Sequence, residues 1–190
     1  GTYIINGETF GRGSIASLSD FANFRNLRYL YLYSNDLQDV SGLSGLNELV
    51  ELRLIDNCIQ DVHSLAQLRQ IDSLNVSFNH ITDASPLFAL TQLSKMNLRE
   101  NEISSLEGIE ALSSLTSLDI CYNQISSLDF VSSMPDLQKL RISGNDVQDL
   151  QPITGLKHLR WLYFAETQVD DLTLLQNITS LQYIDMRNLD

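Results

Sequence analysis

The sequence is short of basic residues and cysteines and has no long apolar run, and each shortage excludes a class of protein. Only 12 Lys and Arg stand against 24 Asp and Glu, so the 190-residue chain has a formal net charge of −12. This balance excludes general binders of nucleic acid or anionic membranes, which need a basic surface. Two cysteines are too few for a disulfide framework, and no apolar run reaches the length of a membrane span. Because 43% of the residues are hydrophobic, we expect a folded protein. The lack of a long apolar run predicts that it does not insert into a membrane.

The dominant feature of the sequence is a repeat that keeps one phase through most of the chain. The interval from Leu27 to Leu49 is 22 residues, and it recurs without insertion. We number each unit from position 1 at its first residue. Apolar residues at positions 4 and 6 alternate with positions 3, 5 and 7, which is the period of a half-buried strand. The eight units begin at Leu27, Leu49, Ile71, Leu93, Leu115, Leu137, Leu159 and Leu181.

Position 9 carries asparagine in six of the units, where the chain turns out of the strand. An amide both donates and accepts hydrogen bonds, so we expect these side chains to satisfy backbone groups of the turn that the sheet does not reach. This structural asparagine column consists of Asn35, Asn57, Asn79, Asn101, Asn123 and Asn145.

From Leu27 to Met186 the columns follow L-x-x-L-x-L-x-x-N-x-L, so the chain resembles the leucine-rich repeat proteins. The 22-residue unit, with Asp and an apolar residue closing the loop as in Asp39-Val40, is similar to bacterial internalins and to the regulatory-subunit class of protein phosphatase 1. The resemblance implies an α/β fold, a right-handed solenoid with a concave parallel β-sheet and short helical, 3-10 or irregular convex segments. It also implies a non-enzymatic module that binds a protein, either as a bacterial surface adhesin or as an intracellular scaffold.

Position 13 carries Asp or Ser in the first seven units. Both residue types cap helical turns, so we expect them to cap a short helical or 3-10 segment on the convex side. A row of catalytic acids is a weaker interpretation, because the column follows the structural phase of the repeat. The column reads Asp39, Asp61, Asp83, Ser105, Ser127, Asp149 and Asp171.

The first 26 residues depart from the repeat, and we assign 1–26 to an N-terminal cap and 27–190 to the repeat array. Residues 2–10 are predicted to form a hairpin with a tight turn at Asn6-Gly7. A half-repeat follows, with Gly13 in the place of the asparagine. Its apolar positions are Ile15, Leu18, Phe21 and Phe24.

The eighth unit is truncated at Asp190 and has Leu189 in the place of the asparagine. A solenoid normally ends in a polar capping element, and none follows here. We expect either that the chain is a fragment of a longer protein or that its last strand self-associates through the open edge.

Aromatic and basic side chains concentrate at the outward positions of the predicted sheet. The only Trp and five of the seven Tyr lie there, and such residues dominate protein interfaces. Strands also favour aromatics for stacking alone, which is the competing interpretation. The predicted ligand-binding residues of the concave face are Tyr29, Tyr31, Tyr33, Arg53, Lys95, Arg99, Arg141, Trp161, Tyr163 and Tyr183.

Apart from the terminal Asp190, positions 2, 3, 5, 7, 8 and 10 of the units hold eight of the 12 basic residues and ten of the 24 acidic ones, so this face is close to neutral on an acidic body. A face of mixed sign suits a protein ligand of unknown identity better than a polyanion. Carbohydrate binding on a platform of Trp161, Tyr163 and Tyr183 is the alternative. A third possibility is a spacer or recognition domain in a larger effector or enzyme.

No catalytic, metal or cofactor motif is evident in the sequence. His63, His80 and His158 form no column, and neither a phosphate loop nor a paired-His motif occurs. Cys58 and Cys121 lie three units apart, beyond disulfide reach, and Cys121 at position 7 is predicted to be a free thiol exposed on the concave face. Free thiols favour a reducing compartment, but internalin-like surface proteins also lack disulfides, so cytoplasm and bacterial surface both remain open.

Two aromatic residues lie beside the asparagine column, Phe78 and Tyr122, both at position 8 of their units. We interpret them as packing residues rather than ligand-binding ones.

Overall fold

The computed structural model describes residues 2–5, 8–10, 18, 21 and 23–189. Within these residues the chain forms one ten-stranded sheet. Numbered in chain order, the strands are β1 (Thr2–Ile5), β2 (Glu8–Phe10), β3 (Tyr29–Tyr33), β4 (Glu51–Arg53), β5 (Ser73–Asn75), β6 (Lys95–Asn97), β7 (Ser117–Asp119), β8 (Lys139–Arg141), β9 (Trp161–Tyr163) and β10 (Tyr183–Asp185).

Strands β3 to β10 stack in sequence order, each parallel to its neighbour. Equivalent positions of successive units pair, as Leu30 does with Leu52 and Leu52 with Leu74. All three leucines are at most 1% exposed, and each contributes roughly 2 kcal/mol of burial free energy. The predicted repeat solenoid with a parallel sheet is confirmed.

At the first edge of the array, β1 pairs antiparallel with both β2 and β3. The half-repeat contributes Leu18 and Phe21 to the core, and Gly42 lies so close to Leu18 that an added Cβ would be 2.4 Å from its carbonyl oxygen. Phe24, which was expected at an apolar position of the half-repeat, is instead 46% exposed at this end of the array. The predicted turn residues Asn6 and Gly7, as well as Gly13 and Ile15, lie outside the described residues.

Short 3-10 helices return the chain along the convex side. In each of the first seven units, the position-13 side chain accepts a hydrogen bond from the backbone N–H two residues later, as Asp83 does from Ser85 at 2.8 Å. The acceptor lies one residue before the formal N-cap in six units, and in the Ser105 unit the helix starts later, at Ile109. The described 3-10 helices are Ser41–Leu43, His63–Gln67, Ser85–Ala89, Ile109–Ala111, Asp129–Ser133, Gln151–Gly155 and Thr173–Asn177.

The asparagines of position 9 join neighbouring units. The Asn101 carbonyl oxygen accepts from the Ile81 N–H at 3.0 Å, and its amide nitrogen donates to the carbonyls of Val76 at 3.1 Å and Leu98 at 2.9 Å. Ile81 and Val76 belong to the preceding unit, so one side chain satisfies backbone groups of two units. Asn57, Asn79, Asn123 and Asn145 repeat this arrangement. At the same position in the seventh unit, the Thr167 hydroxyl donates to the Phe164 carbonyl of its own unit.

The last strand exposes side chains that are buried in the other units. Ile184 and Met186 are 40% and 46% exposed, whereas Leu162 and Phe164, their equivalents one unit earlier, are fully buried. Self-association through this edge stays a prediction. Among the described residues there is no helix with the length and apolar character of a membrane span.

Candidate functional site: the concave face

The strands direct alternate side chains to opposite faces of the sheet. In β3, Leu30 and Leu32 enter the core while Tyr29, Tyr31 and Tyr33 lie on the other face, and later strands follow the same alternation. We call this second face the concave face. All ten predicted ligand-binding residues lie on β3, β4, β6, β8, β9 and β10 or, for Arg99, directly after β6, and all are at least partly exposed.

Three tyrosines and one arginine form an N-terminal aromatic cluster, which we define as Tyr29, Tyr31, Tyr33 and Arg53. The Arg53 guanidinium carbon lies 4.7 Å from the Tyr31 ring centre, and the Tyr31 and Tyr33 rings are 6.2 Å apart. Arg53 Nε also donates to Glu51 at 2.6 Å, which holds the guanidinium in place. Burial, followed by the Glu51 carboxylate, raises the pKa of Tyr31, so this phenol stays neutral at physiological pH.

A second cluster lies at the other end of the face, and we call Trp161, Tyr163, Tyr183, Lys139 and Arg141 the C-terminal aromatic cluster. The Tyr163 and Tyr183 rings are 5.0 Å apart at a 35° tilt. Arg141 lies 4.5 Å from the Tyr163 ring centre and the Lys139 ammonium 5.5 Å from that of Trp161. Cations at these distances are attracted to the ring face and restrict its motion. The Tyr31 ring on β3 and the Trp161 ring on β9 lie six strand spacings apart, about 29 Å.

A third group, which the sequence analysis missed, surrounds Arg99. Its guanidinium carbon lies 4.5 Å from the Tyr122 ring centre and 5.7 Å from that of Phe78, and it forms an ion pair with Glu100 at 2.9 Å. Phe78 is 41% exposed, more than a packing role implies. The sequence did contain a signal for this group. Phe78 and Tyr122 stand at position 8 of units that are two apart, and Arg99 stands at position 7 of the unit between them.

The residue at position 8 has a positive φ in every unit, so its backbone adopts the left-handed conformation. The backbone N–H there donates to the next unit, as from Phe78 to the Arg99 carbonyl at 2.9 Å. Left-handed backbone costs a non-glycine residue roughly 1–2 kcal/mol. The residues are Ser34, Asp56, Phe78, Glu100, Tyr122, Gly144, Glu166 and Asn188.

The prediction that Cys121 is exposed on the concave face is wrong. Cys121 is a free cysteine, but it is only 3% exposed. The other small side chains at position 7, Ser77, Ser143 and Ala165, are buried as well. Burial first, and then the charge of Asp119, raises the pKa of Cys121 to about 12. At physiological pH this thiol is therefore protonated. Cys58, which is also free, is partly exposed.

Between the two aromatic clusters the concave face carries a polar depression of 250 Å³. Lys95 is exposed on its lining, with Ser73 and Ser117 on the adjacent strands. Asp119, whose side chain is 9% exposed, forms an ion pair with Arg141 at 3.3 Å. No set of three or more His, Cys, Asp or Glu side chains arranged to hold a metal occurs in the part of the chain that the structure describes.

Family models of leucine-rich repeats match more than half of the chain. A model of two repeat copies matches residues 25–67 and 113–155, and a single-repeat model matches 71–85. The chain belongs to the leucine-rich repeat family. No curated protein sequence matches this leucine-rich repeat protein.

Solved bacterial structures share its fold. An internalin (inlF) of Listeria monocytogenes is 26% identical with a TM-score of 0.81, over 93% of this chain and 59% of the internalin. Internalin C2 of the same organism is 23% identical with a TM-score of 0.74, over 89% of this chain and 92% of its own. A Leptospira interrogans leucine-rich repeat protein is 24% identical with a TM-score of 0.71, over 88% of this chain and 50% of its own.

The two structures below 25% identity show the fold alone. The leucine-rich repeat protein spans 59% of the length of the first internalin. The predicted resemblance to internalins is confirmed, and that to the phosphatase regulators stays a prediction.

Proposed function

We propose that this leucine-rich repeat protein is a non-enzymatic module that binds a protein ligand on its concave face. The leucine-rich repeat fold is typical of protein-interaction modules. The observation that carries the proposal is the pair of aromatic clusters, each partly exposed and each braced by a cation. Exposed aromatic and arginine side chains supply most of the binding free energy in protein interfaces.

The braced geometry lowers the entropy cost of binding. A free tyrosine or arginine loses rotamer freedom when an interface immobilises it, at a cost of roughly 0.5–1.5 kcal/mol. Arg53 is already held by Glu51 and by the Tyr31 ring, and Arg141 by Asp119 and the Tyr163 ring. A ligand that contacts these rings meets side chains whose freedom is already restricted.

The separation of the clusters favours a protein over a small molecule. A span of about 29 Å exceeds the length of small-molecule ligands, whereas an interface of standard size covers several units. The ring faces also argue against sugar stacking. Tyr163 has Arg141 at 4.5 Å and Tyr183 at 5.0 Å, so these rings do not form an open flat platform.

The internalin likeness supports a bacterial surface or secreted setting, in which the ligand belongs to a host cell. The alternative setting is the cytoplasm, where the protein would act as a scaffold that holds a partner protein on the same concave face. Neither setting requires a cofactor, and the proposed role of the chain is recognition.

A crosslinking pull-down tests the proposal. The baits are the wild type and the variant Tyr31→Ala/Trp161→Ala/Tyr163→Ala, presented to extracts of the source cell and of host cells. We expect a protein that the wild type captures and the concave variant loses. A matched control, Phe24→Ala/Phe130→Ala/His158→Ala, removes three rings outside the concave face and should retain capture.

Circular dichroism and thermal unfolding verify that the baits are equally folded. Equal capture by the wild type and the concave variant would contradict the proposal and move the interface to another surface. Capture of glycans by the wild type, lost on Trp161→Ala without any protein ligand, would replace it with carbohydrate binding.

A further inference from the structure

The centre of the concave face presents hydrogen-bond donors whose neighbouring acceptors are already occupied. We define the donor centre as Ser73, Asn75, Lys95, Asn97, Ser117 and Lys139, of which Lys139 also belongs to the C-terminal aromatic cluster. All six line the 250 Å³ depression between the aromatic clusters. By the liquid volume of water, a space of that size holds on the order of eight water molecules, so a few side chains fill it.

The two asparagines have their oxygens turned to the backbone. Oδ1 of Asn75 accepts from the Ser77 N–H at 3.0 Å and from the Ser77 hydroxyl at 2.7 Å. Oδ1 of Asn97 accepts from the Arg99 N–H at 2.9 Å. A backbone N–H only donates, so these contacts fix which end of each amide is the oxygen. Both NH₂ groups are left available on the depression.

The carboxylate of the depression is also occupied. Asp119 accepts from the Cys121 N–H at 3.1 Å through Oδ1 and from Arg141 at 3.3 Å through Oδ2. Arg53, at the opposite side, is paired with Glu51. Glu51 and Asp119 therefore neutralise the two arginines, whereas the two lysines of the depression stay without an acidic partner.

Lys95 and Lys139 have no carboxylate partner within the residues that the structure describes, and the Lys139 ammonium lies 5.5 Å from the Trp161 ring centre. Over the same residues, the hydroxyls of Ser73 and Ser117 and the NH₂ groups of Asn75 and Asn97 donate no hydrogen bond to a protein acceptor. The donor centre thus offers two ammonium groups, two amides and two hydroxyls to a ligand. Such a set is complementary to carboxylates, which only accept.

We propose that the donor centre binds Asp or Glu side chains from an acidic segment of the protein ligand. The inference rests on the proposed function and names the chemistry that lies between the two aromatic anchors. Lys95 and Lys139 lie on strands separated by β7, which is about 9.6 Å, so the segment carries at least two acidic side chains. The net charge of −12 repels long polyanions, whereas a short acidic segment lies close to the two ammonium groups.

The test uses hexaglutamate as the probe and hexaglutamine as its neutral control. Heteronuclear NMR of the whole chain follows the side-chain NH₂ signals of Asn75 and Asn97 during the titration. We expect saturable shifts of these signals with hexaglutamate, none with hexaglutamine, and weaker binding at high salt. Lys95→Gln/Lys139→Gln should weaken hexaglutamate binding about tenfold, since each exposed ion pair supplies a few-fold.

The control variant Lys157→Gln/Arg25→Gln makes the same change in net charge at exposed residues outside the donor centre and should bind like the wild type. Equal weakening in both variants, or shifts that spread over the surface, would overturn the proposal. Displacement of hexaglutamate by inorganic phosphate at equal charge concentration would overturn it as well, because the centre would then be a general anion site.

The pull-down separates this inference from the proposed function. A ligand that depends on Tyr31, Trp161 and Tyr163 but is retained by Lys95→Gln/Lys139→Gln would support the protein-binding face and overturn the acidic-segment proposal. Hexaglutamate binding that requires the lysines, together with capture indifferent to the aromatic residues, would support the donor centre and contradict the aromatic anchors.

Discussion

Gly144 packs directly against the Tyr122 ring, since a Cβ atom added to Gly144 would lie 2.4 Å from Cδ1 of that ring. The Gly144 φ of +67° is also unfavourable for other residues. Gly144→Ala should therefore lower the free energy of unfolding by about 2–4 kcal/mol, the combined cost of a left-handed residue and a clash. Urea denaturation monitored by circular dichroism measures the change.

Gly155 supplies the matched control, because nothing lies within 4 Å of its added Cβ. Gly155→Ala should change the stability by less than about 1 kcal/mol. The double variant Gly144→Ala/Tyr122→Ala should recover the steric part of the loss and keep the backbone part. If Gly144→Ala is as stable as Gly155→Ala, the described packing of Tyr122 is wrong.

The asparagine column should be the most sensitive polar part of the array. Asn101→Ala leaves the Ile81 N–H unpaired and removes one of the two amide donors from each of the Val76 and Leu98 carbonyls, so the free energy of unfolding should fall by about 1–3 kcal/mol. Asn101→Asp should also destabilise, because a carboxylate accepts from Ile81 but cannot donate to carbonyls. Gln92→Ala, at an exposed residue, is the control. An unchanged denaturation midpoint for Asn101→Ala would remove the inter-unit role of the column.

Acid should weaken the convex turns. Hydrogen bonds from the residue two positions later lower the pKa of Asp39, Asp61, Asp83 and Asp171. Because each folded pKa is lowered, the stability it contributes is present above the unfolded pKa of about 3.9 and is lost as the pH falls through the folded value. The urea midpoint of the wild type should therefore fall as the pH drops below about 4.

The fourfold Asp→Asn variant at these positions should show a smaller fall in the midpoint over the same range, because asparagine retains an acceptor that does not titrate. Glu48→Gln/Glu107→Gln/Glu110→Gln/Asp136→Asn makes the same change in charge at exposed acids and should fall like the wild type. Parallel pH profiles for all three proteins would rule out the convex turns as the source of acid sensitivity.

The two thiols should differ in reactivity. Cys121 is buried with a pKa of about 12, whereas Cys58 is partly exposed. Titration of the native protein with a disulfide reagent at mildly alkaline pH should therefore modify Cys58 alone, and denaturant should release Cys121. Single Cys58→Ser and Cys121→Ser variants assign the signals. Rapid reaction of Cys121 in the native protein would contradict its covered position.

The strands, the apolar columns and the convex turns were predictable because each follows from the repeat phase. Leu30, Leu52 and Leu74 occupy position 4 of successive units. Because side chains of a strand alternate between two faces, the repeat phase alone assigns this position to the core face. The direction of Tyr29, Tyr31 and Tyr33 followed from the same alternation.

The exposure of a side chain was less predictable than the face of the sheet to which it points, because exposure depends on the size of the neighbouring side chains in adjacent units. Cys121 lies at an outward position, yet it is only 3% exposed. Phe78 was interpreted as a packing residue, but its ring is 41% exposed and lies beside Arg99. The donor centre also depends on amide orientation, which the backbone contacts of Asn75 and Asn97 set and the residue names do not.

Site-specific photocrosslinking tests directly whether the concave face is the surface that binds a protein ligand. A benzoylphenylalanine placed at Tyr183 on the concave face is compared with one at Gln151 on the convex side, both exposed and both incubated with the same extracts. We expect a crosslinked protein ligand from position 183 and none from position 151, with the crosslink lost when Tyr31 and Trp161 are replaced by alanine. A ligand crosslinked only from position 151 would contradict the concave face as the binding surface.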